Sequence, residues 1–95
     1  MDADKLEPPE HLDKDAIQVF WDTVAQLRAS GVELLPIDSM ILGMYAISVV
    51  LARRMQQEVK EKGLSDNPEA QQWVREQWAQ VLMISDELWG KSRKQ

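Results

Sequence analysis

Residues Met40 to Ala52 read MILGMYAISVVLA, and only Gly43 and Ser48 interrupt the apolar side chains. Because neither of these two residues carries a charge, a helix through the stretch has no polar face. Its 13 residues fall short of the roughly 20 that a membrane-spanning helix needs. The stretch therefore predicts a central helix surrounded by protein, and no contact of the chain with a membrane is expected.

The segments on either side each carry an apolar stripe at helical spacing. A first helix is expected to start after the N-cap Asp13 and to stop at Gly31. A third helix is expected to follow the capping residue Asn67, with Pro68 at its first position, and to run to about Trp89. The predicted buried face of the first helix consists of Ala16, Ile17, Phe20, Trp21, Val24 and Leu27.

The central helix is expected to extend beyond its apolar stretch. With Asp38 as N-cap and Gly63 after Lys62 as the stop, it would be about 36 Å long at 1.5 Å per residue. In its second half the apolar residues thin to Met55 and Val59, so that half is expected to project or to lie at an edge. The sequence predicts an all-α fold of three main helices with a long central helix.

Charge and composition divide the chain into three parts. The 95 residues carry a net charge of −5, and residues 1–15 contain six acidic side chains and two lysines. We expect a flexible acidic arm over residues 1–12, a helical domain over 13–90 and a basic tail over 91–95. An acidic protein is poorly suited to coat nucleic acid by bulk electrostatics. The sequence contains no cysteine and shows no signal peptide, which fits a chain that stays in the cytoplasm.

No catalytic or cofactor motif is visible in the sequence. The single histidine, His11, lies in the predicted arm without a second metal-ligating residue at a useful spacing. The helical carboxylates are spaced singly, and neither a nucleophile elbow nor a Gly-rich phosphate loop is present. We therefore expect a non-enzymatic protein with no cofactor and no metal.

Assembly is expected, because two amphipathic helices cannot easily cover every side of Met40 to Ala52 within one protomer. We predict more than two subunits in a homo-oligomer. Gly43 costs a helix about 1 kcal/mol relative to alanine and is expected to permit the close approach of another helix. The candidate interface residues are Ile41, Gly43, Met44, Tyr45, Ile47, Val50, Trp73, Trp78 and Trp89.

Basic residues occur in two clusters, one in the second half of the central helix and one at the end of the chain. A solvated surface explains either cluster, and contact with DNA phosphates is the alternative. The candidate DNA-binding residues are Arg53, Arg54, Lys60, Lys62, Lys91, Arg93 and Lys94.

The order of these features resembles the small terminase subunits of long-tailed bacteriophages. The resemblance spans residues 9–93. Its residues are Pro9-Glu10-His11-Leu12, Ala16, Trp21, Gly31-Val32, Pro36, Asp38, Tyr45, Gly63, Asn67-Pro68, and the stretch Leu88 to Arg93.

The resemblance implies a viral protein that acts in the cytoplasm of a bacterial host cell. It implies a ring that recognises double-stranded viral DNA and delivers it to a large terminase subunit with ATPase and nuclease activity. The competing interpretation is a helical protein-interaction module, such as a small antitoxin or regulatory scaffold, that never contacts nucleic acid.

Overall fold

A computed structural model of the chain describes residues 6–90, and these residues contain three α-helices and no strand. Helix α1 spans Lys14–Ala29, α2 spans Ser39–Glu61 and α3 spans Pro68–Gly90. A short 3-10 helix, Pro36–Asp38, precedes α2. The prediction of an all-α fold with three main helices and a long central one is confirmed.

Local capping signals set most of the helix ends. The Asp13 carboxylate accepts a hydrogen bond from the Ala16 N–H at 3.0 Å, and the Asn67 side chain accepts from the N–H groups of Glu69 and Ala70. These bonds satisfy donors that the first turn of a helix leaves unpaired. Helices α1 and α2 are followed by Gly31 at φ 84° and Gly63 at φ 68°. These are left-handed positions that favour glycine, as the sequence predicts.

The start of α2 differs from the prediction. Asp38 is the N-cap residue, but its side chain makes no capping bond to α2. Its carboxylate instead accepts from the N–H of Leu35 at 2.9 Å, and the residue is buried. The Asp38 side chain therefore holds the 3-10 turn that leads into α2.

The core lies where α1 and α3 pack on the two sides of α2. The predicted buried face of α1 is partly wrong, because Val19 and Thr23 are buried whereas Trp21 is 42% exposed. The Thr23 hydroxyl is satisfied inside the helix, since it donates to the Val19 carbonyl at 2.7 Å. Trp21 packs edge-on against Phe20, with ring centroids 5.1 Å apart.

Residues 6–12 lie against the helical core. Leu12 is buried as expected, and Leu6 is buried as well. The Pro9 ring is the close neighbour of Gly43, so the prediction that another helix approaches this glycine is wrong. The flexibility predicted for residues 1–12 stays a prediction, and residues 1–5 lie outside the described part.

The three helices form an elongated layer. The principal extents are 50 × 29 × 18 Å and the Cα radius of gyration is 15.2 Å. A compact domain of this length has a radius of gyration of about 12 Å. The layer arises because α2 separates the two helices that pack on it, and this arrangement leaves parts of α2 open to solvent.

Candidate functional site

One side of α2 carries exposed apolar side chains along most of its length. Met40 is 72% exposed, Met44 58% and Leu51 44%, and the half-buried Ile47 and Met55 continue the row. Steps of three and four residues place all five on one helix face. We call these residues the α2 stripe: Met40, Met44, Ile47, Leu51 and Met55.

The stripe continues at both ends. Ile37, just before α2, is 78% exposed. At the other end Met55 lines a small cleft of about 120 Å³ together with Leu64 and Trp73. Trp73 is 62% exposed, so a large aromatic surface extends the apolar row from α2 onto α3.

The predicted interface residues do not all lie on this stripe. Gly43 and Val50 are buried within the protomer. Tyr45 and Trp89 pack together with ring centroids 6.0 Å apart, and burial raises the pKa of the Tyr45 hydroxyl. Ile41 and Trp78 are half-buried against the core. Met44, Ile47 and Trp73 are the candidates that lie on or beside the stripe.

The sequence analysis did not select Met40 and Leu51 as interface residues, although both belong to the apolar stretch Met40 to Ala52. The signal was present in their spacing with Met44 and Ile47, which follows steps of four, three and four. A stretch that is apolar on every side hides this signal, because periodicity shows a face only where polar residues mark the opposite face. The folded chain shows which side is left open.

Arg54 is held by carboxylates of its own chain. Its Nη2 atom lies 2.9 Å from Asp13 Oδ2 and 3.2 Å from Asp15 Oδ2. The hydrogen bonds to Asp13 and then to Asp15 raise the pKa of the Arg54 guanidinium. The pKa of Asp13 is lowered, first by the Ala16 N–H and then by Arg54. This candidate DNA-binding residue therefore already has an anionic partner.

Lys62 is likewise paired with a carboxylate of its own chain. Its Nζ atom lies 2.7 Å from Glu58 Oε1, one helical turn away. The hydrogen bond raises the pKa of Lys62 and lowers that of Glu58. A phosphate at Lys62 would therefore have to compete with this carboxylate.

The other basic candidates are differently placed. Within residues 6–90, neither Arg53 nor Lys60 has a carboxylate oxygen within 4 Å. Both are exposed, and their spacing of seven residues places them on one side of α2, two turns apart. The remaining candidates, Lys91, Arg93 and Lys94, lie outside the described residues.

A second open feature lies between α2 and α3. This groove has a volume of about 440 Å³. Its basic side chains are Lys60 from α2 and Arg75 from α3, a residue that sequence reasoning did not select. We call it the α2–α3 groove, and its lining residues are Gln56, Val59, Lys60, Ser65, Gln71, Val74, Arg75 and Trp78.

The described residues were compared with the requirements of a metal site and of a buried polar site. Residues 6–90 contain no group of three or more side chains that is able to hold a metal ion. Every buried side-chain nitrogen or oxygen in this range has a hydrogen-bond partner. The α2 stripe and the α2–α3 groove are both open surface features of the described chain.

The helical segment Pro36–Glu61 is long and apolar enough to cross a membrane, with a mean hydropathy of 1.3 in its most apolar window. The central helix of a soluble protein passes the same test, and 44% of that window is buried by the rest of the chain. The expectation that the chain makes no membrane contact stays a prediction.

Comparisons of the chain with protein-family models, with curated proteins and with solved structures found no match.

Proposed function

We propose that this chain is a non-enzymatic small subunit of a phage terminase, which assembles into a ring and presents viral DNA to a large ATPase and nuclease subunit. The α2 stripe carries the proposal. It leaves an apolar row open along about 22 Å of helix, from Met40 to Met55 at 1.5 Å per residue. Large exposed apolar patches mark interaction sites, and packing against further subunits covers this one. The order of sequence features supplies the resemblance to the terminase family.

DNA contact in this proposal is local and repeated. The net charge of −5 opposes binding by the whole surface, and Arg54 and Lys62 are already paired. The candidates that remain as proposed phosphate contacts are Arg53, Lys60 and the tail residues Lys91, Arg93 and Lys94. A few contacts per subunit, multiplied around a ring, give measurable affinity through avidity.

The second candidate is a helical protein-interaction module without nucleic-acid binding. One observation favours it: local carboxylates balance two of the four helix-borne basic candidates. Such a module would use the same apolar stripe, so assembly alone does not separate it from the first candidate. DNA binding does.

Light scattering tests the assembly. We expect the wild-type protein to have the mass of more than two subunits at micromolar concentration, and Met44→Glu to reduce that mass. Methionine and glutamate have similar helix propensities, so the variant tests burial of the stripe rather than helix formation. Met83→Glu is the matched control, because Met83 is 69% exposed and lies on α3 outside the stripe.

The result for each protein separates the candidates. A wild-type monomer, or equal masses for the two glutamate variants, would remove the stripe as the assembly surface. An assembled protein that does not bind duplex DNA even at low salt would favour the interaction module.

A further inference from the structure

We infer that the α2–α3 groove is a docking site for an acidic peptide segment of a protein partner, one that carries an apolar side chain between carboxylates. The inference goes beyond the proposed function and does not depend on it. It rests on three features of the groove: two cations that have no carboxylate oxygen within 4 Å among residues 6–90, apolar side chains in the lining, and an amide held by a hydrogen bond.

The cations come from different helices. Lys60 lies on α2 and Arg75 on α3, and both line the groove. Both side chains are exposed, and within residues 6–90 neither has a carboxylate oxygen within 4 Å. Arg54 and Lys62, which lie elsewhere on α2, are instead paired with carboxylates of their own chain. The contrast leaves Lys60 and Arg75 as a positive pair across an open groove, which complements a short negatively charged segment.

The floor of the groove is apolar. It includes Val59, Val74 and Trp78, which are all half-buried and therefore keep part of their surface open to an incoming side chain. A leucine-sized group placed there would remove apolar surface from water on both partners, which is favourable. Trp78 adds the large, rigid type of surface that often anchors protein interfaces.

One amide side chain in the lining of the groove is held by a hydrogen bond. Gln71 Nε2 donates to the backbone carbonyl of Ser65 at 2.5 Å. Because this bond uses the amide nitrogen, it fixes the orientation of the side chain and leaves Oε1 as an acceptor. A peptide N–H is a suitable donor to Oε1. Gln56 on α2 supplies a second amide to the groove.

These features fit a peptide better than DNA. A phosphate backbone would use Lys60 and Arg75 but would bring no apolar group to the floor. The volume of about 440 Å³ matches a site for a few side chains. A long polyanion would also meet the repulsion of a protein with net charge −5, whereas a short segment experiences mainly the two nearby cations.

Fluorescence anisotropy tests the inference. The probe is a short dye-labelled peptide in which one leucine lies between aspartates, titrated with the full chain at low salt. We expect saturable binding that weakens about three- to fivefold in Lys60→Gln and in Arg75→Gln, the size typical of exposed ion pairs. Lys62→Gln is the matched control, because Lys62 is paired with Glu58 and lines a different cleft. It is expected to bind the probe as the wild type does.

Two altered peptides separate the contributions of the charged groups and of the apolar contact to binding affinity. Replacing the aspartates by asparagine, or the leucine by glycine, is expected to weaken binding at least threefold. Circular dichroism of each variant checks that helicity is unchanged, so that a weaker interaction reports the groove and not the fold.

Several outcomes would overturn the inference. These are no saturable binding, equal affinity of the neutral peptide, or equal losses in Lys62→Gln and Lys60→Gln. Duplex DNA that binds while the peptide does not, and that loses affinity in Lys60→Gln and Arg75→Gln, would identify the groove as a phosphate surface. Each of these results leaves the mass of the assembly unaffected, so failure here is distinguishable from failure of the proposed function.

Discussion

The Cγ atom of Pro9 lies 2.8 Å from the position that a Cβ atom on Gly43 would occupy, and Pro9 Cδ lies 3.1 Å from it. Both distances are shorter than ordinary van der Waals contacts between carbons. The absence of a side chain at Gly43 thus lets the proline ring approach the backbone of α2. The glycine costs α2 helix propensity, and in return the segment around Pro9 packs closely on the helix.

This relationship predicts the effect of Gly43→Ala. Alanine favours the helix by about 1 kcal/mol over glycine, but its methyl group would collide with the Pro9 ring, and overpacking costs about 1 to 3 kcal/mol. We expect a net loss of roughly 1 kcal/mol in the free energy of unfolding. Urea denaturation followed by circular dichroism measures it.

The control for this prediction removes the ring. In a Pro9→Ala background the two ring atoms nearest Gly43 are absent, so Gly43→Ala is expected to stabilise by about 0.5 to 1 kcal/mol. The same effect of Gly43→Ala in both backgrounds would show that Pro9 does not press on this position.

Asp13 predicts a pH dependence of stability. Its folded pKa lies below the ordinary value of 3.8, because the Ala16 N–H and Arg54 both favour the carboxylate. A group whose pKa is lowered by folding stabilises the protein above its unfolded pKa, and the effect is lost as the pH falls through the folded pKa. We expect the melting temperature of the wild type to exceed that of Asp13→Asn at pH 7, with a difference that shrinks below about pH 4.

Asp13→Ala separates capping from charge. Asparagine is a good N-cap whereas alanine is poor, so Asp13→Ala is expected to lower the melting temperature further than Asp13→Asn does at pH 7. Equal melting temperatures for the two variants would show that the hydrogen bond to Ala16 contributes little. A difference between wild type and Asp13→Asn that is constant from pH 7 to pH 2 would exclude the charge effect.

The buried hydroxyl of Thr23 is expected to be dispensable for stability. Its Oγ1 atom donates to the Val19 carbonyl, which as a mid-helix carbonyl also accepts the usual backbone bond. Thr23→Val therefore leaves no polar group unpaired and adds a buried methyl group, so we expect stabilisation by about 0.5 kcal/mol. Thr23→Ser, which keeps the hydroxyl and removes a methyl group, is expected to cost about 1 kcal/mol. Thermal unfolding of both variants gives the comparison, and destabilisation by valine would contradict it.

The proposed DNA contact predicts a difference between the tail and Arg54. Deletion of Lys91 to Gln95 is expected to weaken binding of duplex DNA and to reduce its salt dependence by roughly 0.9 in slope per lost phosphate contact. Arg54→Gln is expected to change binding little, because Asp13 and Asp15 already balance that charge. Titrations at two salt concentrations measure both quantities.

The truncated protein is expected to keep its helicity and its assembly mass. Equal affinities and equal salt slopes for intact and truncated proteins would remove the tail from the DNA interface. A large loss in Arg54→Gln with an intact tail would place the contact on α2 instead.

Helix positions were predictable because the signals that set them are local. Asp13 and Asn67 cap the residues immediately after them, and Gly31 and Gly63 supply the left-handed turns that follow α1 and α2. Each signal needs only a few neighbouring residues to be recognised. Asp38 shows that a local signal does not always predict the contact. Its sequence position is that of an N-cap, but its carboxylate accepts a hydrogen bond from the Leu35 N–H instead.

The surfaces were less predictable because they depend on distant residues. Arg54 meets Asp13, which is 41 positions away, so composition around Arg54 gives no indication that its charge is balanced. Arg75 and Lys60 line the same groove only because α3 packs along α2. Trp21 fits the helical spacing of a buried residue as well as Val19 does, and packing against α2 decides which of them is covered.

The elongated layer affects how the mass of this protein must be measured. Gel filtration separates molecules by hydrodynamic size, and a monomer with extents of 50 × 29 × 18 Å and a radius of gyration of 15.2 Å elutes earlier than a compact protein of the same mass, whose radius of gyration is about 12 Å. Elution volume alone would therefore overestimate the mass of a single chain. A sedimentation experiment that yields the frictional ratio together with the mass would separate an anisotropic monomer from a true pair of subunits.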